Sequence, residues 1–174
     1  MALRQTILAT GAMLACLATI ATAQETSTNK VANKTDWAVF VDDNPKECWA
    51  VSKPRETVNT RDGRVVAVRR GEILLFVMNR PSDKITGQIT FTGGYPFASG
   101  STVSMSIDGT SYDLFTEGQW AWAKPGDDAK IVAAMKKGAK AVLRARSTRG
   151  TRTEDTFSLS GFTAASDDAA ARCK

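Results

Sequence analysis

Thr102-Val103-Ser104-Met105-Ser106-Ile107-Asp108-Gly109-Thr110-Ser111-Tyr112-Asp113-Leu114-Phe115-Thr116 is the stretch that decides the fold class. Val103, Met105 and Ile107 alternate with Ser104, Ser106 and Asp108. In an extended strand that period puts the apolar side chains on one face and the polar ones on the other. Asp108-Gly109 suits a tight hairpin turn, and Tyr112, Leu114 and Thr116 then resume the alternation. The reading is an antiparallel hairpin with one face against a core.

The same period extends in both directions. Residues 37–41 and 48–51 are short β-rich runs separated by the turn cluster Asp42-Asp43-Asn44-Pro45. Residues 64–70 and 72–79 follow, the second almost continuously apolar through Ile73, Leu74, Leu75, Phe76, Val77 and Met78. Such a run suits a strand buried on both faces. Residues 85–91 end at Gly93-Gly94, and Trp120-Ala121-Trp122 is a short aromatic strand. Ala141, Leu143 and Ala145 alternate with Val142, Arg144 and Arg146, and Phe157 and Leu159 alternate with Thr156, Ser158 and Ser160. Two segments switch to helical spacing. Residues 127–137 place Ile131, Ala134 and Met135 on one face, with Asp127 and Asp128 at the start and Gly138 at the end. Residues 162–172 are Ala-rich, and Cys173 follows them. About nine strands and two short helices near the C-terminus predict a mainly β chain, an antiparallel β-sandwich or partly open barrel.

The N-terminus reads as an address. Arg4 precedes an apolar run over residues 7–20, and Ala21-Thr22-Ala23 ends it. A charged start, a short apolar middle and small residues at the cut describe a secretory signal peptide over residues 1–23. The alternatives are an uncleaved anchor helix and a lipoprotein acylated at Cys16. Residues 24–35 are polar and read as a flexible tail, leaving residues 36–174 as a single β-rich domain. The mature chain is about 150 residues, long enough to bury roughly 70% of its unfolded surface. The expected location is periplasmic or secreted, with no transmembrane span after cleavage.

The chain contains no histidine. That removes the Ser-His-Asp and Cys-His constellations and the usual zinc ligand. Once the leader is gone, Cys48 and Cys173 are the remaining cysteines. In an oxidising compartment an even pair becomes a disulfide, with two separate buried thiols as the alternative. The formal charge of +5 falls to +4 without Arg4, a modest bias toward acidic partners. A nucleic-acid partner does not fit the secretory address.

Candidate functional residues follow from these exclusions. Glu47, Glu117, Asp108, Asp113, Glu154 and Asp155 lie near predicted strand ends, yet no spacing pairs them as a glycosidase requires. Adjacent aspartates such as Asp42-Asp43 fit turns better than a calcium loop, so no metal or cofactor is expected. Arg144, Arg146, Arg149 and Arg152 surround one turn and form a candidate anion- or partner-binding group. Arg61, Arg64, Arg69 and Arg70 make a second basic region. Among Trp37, Trp49, Trp120 and Trp122 the default role is core; Trp120 and Trp122 share one face and become interface anchors if exposed.

Several stretches also resemble a known family. They are Ser147-Thr148-Arg149-Gly150-Thr151, then Asp155-Thr156-Phe157-Ser158-Leu159-Ser160-Gly161-Phe162-Thr163-Ala164-Ala165, then Cys173. Asn79-Arg80-Pro81, Gly94-Tyr95-Pro96-Phe97, Gly100-Ser101, Ile107-Asp108-Gly109 and Trp120-Ala121-Trp122 add to them. Together they are similar to the invasion-associated locus B family of small secreted alphaproteobacterial proteins. The resemblance implies a periplasmic or envelope-associated β-rich domain with a paired cysteine. It supplies no catalytic residue set, and its motifs read as fold determinants: Gly150 and Gly161 for special backbone angles, Asp155 for a hydrogen-bonded turn. The family's name refers to host-cell invasion, although members also occur in free-living bacteria. The expected function is non-enzymatic binding of an envelope component or a protein partner. The alternatives are a cell-wall glycan enzyme using paired carboxylates and a small-ligand carrier.

The leader yields a direct test. The intact mass of the exported protein is expected to correspond to a chain beginning at Gln24; retention of residues 1–23, or a lipid on Cys16, contradicts the assignment.

Overall fold

The hairpin read from residues 102–116 forms as β8 (Thr102–Ile107) and β9 (Thr110–Glu117), antiparallel, with Ile107 opposite Thr110. Asp108 and Gly109 both take positive φ, 45° and 92°, as a two-residue hairpin turn of this hand demands. The computed structural model describes residues 29–174. The leader, Cys16 and the Gln24 start lie outside the described residues.

Ten further strands extend the hairpin: β1 (Lys30–Lys34), β2 (Trp37–Asp43), β3 (Lys46–Ser52), β4 (Glu56–Arg61), β5 (Arg64–Val65), β6 (Leu74–Arg80), β7 (Ile85–Thr92), β10 (Trp120–Ala123), β11 (Lys140–Arg146) and β12 (Arg152–Ser158). All belong to one antiparallel sheet in the order β1-β2-β3-β6-β7-β10-β9-β8-β11-β12-β4-β5. The sheet is not closed into a barrel. The chain is therefore mainly β, as its periodicity predicts, with twelve strands in place of about nine. Lys30–Lys34 falls in the stretch read as a tail; although polar, it pairs with β2. β4 also escapes the periodicity, because Glu56, Thr57 and Val58 are all exposed at this end of the sheet. The run 64–70 is strand only at Arg64–Val65, and residues 66–73 form an irregular strap.

The sheet curls until distant strands face each other. Phe91 on β7 and Phe157 on β12 meet edge-on at 6.1 Å, although they are far apart in strand order. The Trp37 indole N–H at the start of β2 donates to the Ser158 carbonyl at the end of β12 (3.0 Å). The concave face holds the core, with Val39, Ala50, Leu75, Ile89, Phe91, Met105, Leu114, Leu143 and Phe157 all fully buried.

Two helices cover the openings. α1 (Asp128–Lys137) buries Ile131 and Met135, and the Asp128 carboxylate accepts a bond from the Ile89 N–H of β7 (2.8 Å). α2 (Phe162–Arg172) buries Phe162, Ala165 and Ala169, and packs on β2 and β3. Its entry is possible only with glycine. Gly161 has φ +87°, and a Cβ there would lie 1.9 Å from the Lys34 carbonyl oxygen. Cys173, just past α2, is bonded to Cys48 on β3, closing a sequence separation of 125 residues. The pair is a disulfide and not two free thiols.

Closing so long a loop contributes about 4–5 kcal/mol through the unfolded chain's lost entropy. Reduction, or Cys48→Ser with Cys173→Ser, is expected to lower the melting temperature by about 10 °C, at roughly 2–4 °C per kcal/mol for a domain of this size. Thermal unfolding with and without reductant measures this; coincident curves would contradict a stabilising role for the bond.

Candidate functional site

Strand alternation places a second set of large side chains on the convex face. Leu75, Val77 and Asn79 of β6 point inward, so Leu74, Phe76 and Met78 point outward and are only half-buried. The apolar run 72–79 therefore corrects to a strand covered on one face, with an apolar outer surface. The neighbours match it. Phe40 on β2 stacks on Trp49 directly opposite on β3, with centroids 5.5 Å apart and planes 3° from parallel. Phe76 lies 6.1 Å from Trp120, and Trp122 stacks on Phe115 of β9 at 5.5 Å. Trp120 is 36% and Phe115 43% exposed. Of the four tryptophans, only Trp37 is a core residue; Trp49, Trp120 and Trp122 belong to this band.

Past Phe115 the outer face turns polar and then basic. Phe115 opposes Thr102 on β8, and Ser104 of β8 opposes Arg144 on β11. Arg144 and Arg146 share the outer side, and Arg146 directly opposes Arg152 on β12. Arg144 is held by Glu154 (2.7 Å), whereas among the described residues Arg146 and Arg152 have no ion-pair partner. These three arginines line a shallow groove of about 460 Å³ together with Val58, Thr60, Thr102 and Ser104. Arg149, the fourth member of the sequence group, lies elsewhere.

Arg149 sits in the turn between β11 and β12 and lines a separate cleft of about 470 Å³. The opposite wall is the strap 66–73, which carries Arg69 and Arg70, and Arg61 at the end of β4 completes it. The strap is fixed from below. The Arg70 guanidinium makes a two-pronged bond to Asp155 of β12, 2.7 and 2.6 Å, and also donates to the Gly93 carbonyl (2.8 Å). Both side chains are buried, 6% and 0% exposed. Burial pushes the Asp155 carboxyl above its ordinary value, although Arg70 pulls the other way. Asp155 thus serves this buried pair and not a turn. Arg70 also lies over the Tyr95 ring at 5.0 Å, and the Tyr95 hydroxyl bonds Thr153 (2.6 Å). Gly71 N–H donates to the Gly94 carbonyl (2.9 Å). A Cβ on Gly94, whose φ is +73°, would sit 2.6 Å from the Gly71 carbonyl oxygen.

Of the six carboxylates singled out for acid–base chemistry, Glu117 is exposed at the end of β9, and the other five have partners, Asp155 in Arg70. Glu47 pairs with Arg80 (2.6 Å), Asp113 with Lys124 (3.7 Å) and Glu154 with Arg144. The Asp108 carboxylate accepts from Ala139 N–H (3.2 Å). Among the described residues no three His, Cys, Asp or Glu side chains are grouped to hold a metal, and no helix is long and apolar enough to cross a membrane. Sequence reasoning missed that Arg61 and Arg69 join Arg149, because the strap that unites them has no periodicity. It also missed the reach of the aromatic band, although the apolar outer positions of β6 signal it.

Comparison with known proteins bears on the whole domain. The family described as "Invasion associated locus B (IalB) protein" matches residues 37–170. The crystal structure of invasion associated protein B from Bartonella henselae has a TM-score of 0.52 to this chain at 17% identity, covering 85% of this chain and 97% of that one. At that identity the likeness is one of fold. No curated protein matches the chain.

The Arg70–Asp155 pair gives a stability prediction. Arg70→Met leaves a carboxylate buried without its partner and is expected to cost about 3–5 kcal/mol. Arg70→Met with Asp155→Leu removes both charges and is expected to recover most of that loss. Chemical denaturation of the single and double variants measures the difference; a double variant no more stable than the single would contradict the pair's role.

Proposed function

The chain belongs to the invasion associated locus B family, and on that premise we propose that it is a non-enzymatic, envelope-associated protein that binds an envelope component or a protein partner. One observation carries this reading: the convex face joins an aromatic band, exposed at Phe115 and Trp120, to a basic strip in which Arg146 and Arg152 have no ion-pair partner among the described residues. Phe115 and Arg146 are separated only by β8, about 10 Å at the normal strand spacing. Aromatic and arginine side chains are the residues most enriched at binding hot spots. An apolar area beside guanidinium groups suits an anionic amphiphilic surface, which an envelope supplies. The secretory leader read from the sequence supports the same compartment. The association with invasion in the relative's name is consistent with a partner met at the cell surface.

The anion-binding group of this proposal is Arg144, Arg146 and Arg152, with Arg149 on the far side of the turn. Five of the six candidate carboxylates, all but Glu117, are engaged in ion pairs or backbone bonds with structural partners, which favours binding over catalysis. The concave face is filled by Phe91, Phe157 and their neighbours, which disfavours a carrier.

Two variants test the reading. Arg144→Ser with Arg146→Ser is expected to leave the melting temperature unchanged and to reduce retention on anionic lipid or polysaccharide several-fold. That retention is expected to fall as salt rises, since exposed charges are screened over about 8–10 Å. Trp120→Ser with Phe115→Ser is expected to weaken retention independently of salt. Retention insensitive to both pairs and to salt would return the face to a merely solvated surface.

A further inference from the structure

We propose that the cleft between the 147–151 turn and the strap 66–73 is a phosphate-binding site, taking a phosphate-bearing ligand through Arg61, Arg69 and Arg149. The inference stands on this cleft alone and does not depend on the outer face. Its lining contains no carboxylate. Among the described residues Arg61, Arg69 and Arg149 form no ion pair, so their charges converge on one space uncompensated. The fourth guanidinium, Arg70, spends four of its five N–H groups on Asp155, Asn59 and the Gly93 carbonyl, and its charge is met by Asp155, so it forms a neutralised floor.

The donors are held in place. Arg61 Nη2 donates to Thr151 Oγ1 (2.7 Å), which orients it along the wall and leaves its remaining N–H groups for a ligand. The turn bearing Arg149 is locked at both ends: Ser147 N–H donates to the Thr151 carbonyl (2.9 Å), and Thr148 N–H to the Pro96 carbonyl (3.1 Å). Ser147 Oγ accepts from Thr151 N–H (3.2 Å), which leaves its own proton free to donate. Arg69 rides on a strap fastened before it by Val66 N–H to the Asn59 carbonyl (2.9 Å) and after it by Arg70 and by Gly71 N–H to the Gly94 carbonyl.

This set selects among anions. A carboxylate is satisfied by one bidentate arginine, whereas a phosphate offers three oxygens and up to two charges to several separate donors. The volume of about 470 Å³ exceeds what a bare ion fills and leaves room for the group to which the phosphate is attached.

The experiment is titration of the exported full chain, at constant ionic strength, with inorganic phosphate in one arm. The other arm uses phosphatidylcholine vesicles containing phosphatidate. Saturable binding is expected, weakened by Arg69→Gln with Arg149→Gln by about tenfold per arginine, the scale of a charge-assisted hydrogen bond. Arg69→Lys with Arg149→Lys, which keeps the charge, is expected to recover part of the affinity. Lys137→Gln, exposed on α1 and outside both basic surfaces, should leave phosphate affinity within twofold, and the outer-face pair Arg144→Gln with Arg146→Gln is compared in both arms. Binding in both arms, or in the phosphate arm alone, supports a free phosphate ligand; cleft-dependent binding to vesicles alone supports a lipid headgroup. The proposal is overturned if neither probe binds, or if the cleft pair weakens neither phosphate binding nor vesicle binding by more than twofold. Vesicle binding lost only with the outer-face pair would overturn the cleft and leave the binding role of the outer face standing.

Discussion

The buried ion pair of Arg70 with Asp155 is the contact on which the working end of this molecule depends. A charged pair out of water costs several kcal/mol of desolvation per ion, and only good geometry offsets it. Here the geometry is a two-pronged fork, with the further guanidinium bonds taken by Gly93 and Asn59. The pair's return is positional. It fastens an irregular strap, which has no ladder of its own, onto β12 on the far side of the curled sheet. It also aims the Tyr95 ring and hydroxyl, and it removes the one arginine that would otherwise sit at the cleft floor as a free charge.

The rest of the fold makes that contact reachable. Twelve strands in one sheet must curl to bury a face, and the curl brings β7 opposite β12 around Phe91 and Phe157. α2 covers an opening of the curl from the other side, entering at Gly161 and leaving at the Cys48–Cys173 bond. The two glycine contacts do the same job at opposite places. Each lets two backbones approach more closely than any side chain permits: Gly94 against Gly71, and Gly161 against Lys34. The Ser147-to-Thr151 and Asp155-to-Ala165 motifs that carry the family resemblance are therefore the pieces that fix the cleft and the start of α2.

The two surfaces of the sheet divide the chemistry. Inward positions are apolar because the core requires it. Among outward positions, Phe40 of β2, Trp49 of β3, Leu74, Phe76 and Met78 of β6, Phe115 of β9 and Trp120 and Trp122 of β10 form an apolar band without a covering layer. The outer positions of β11 and the start of β12 carry Arg144, Arg146 and Arg152, with Arg144 paired to Glu154 and Arg146 facing Arg152 at a separation that ordinarily costs stability.

Much was legible in the chain itself. The alternation of residues 103–116, the Asp108-Gly109 turn, the helical spacing of Ile131 and Met135 and the cysteine pair are local or near-arithmetical signals, because side-chain period and turn angle are properties of consecutive residues. They determined a mainly β chain with two helices, a disulfide, and arginines 144 and 146 on one side of a strand. What they could not determine was adjacency. β1 and β4 are polar, edge-lying strands whose pairing is set by their neighbours. The strap 66–73 has no period at all. Which strands become neighbours, and how far the sheet curls, is decided by long-range burial. That alone brought Arg61, Arg69 and Arg149 into one cleft, put Asp155 against Arg70, and turned three tryptophans outward into a band.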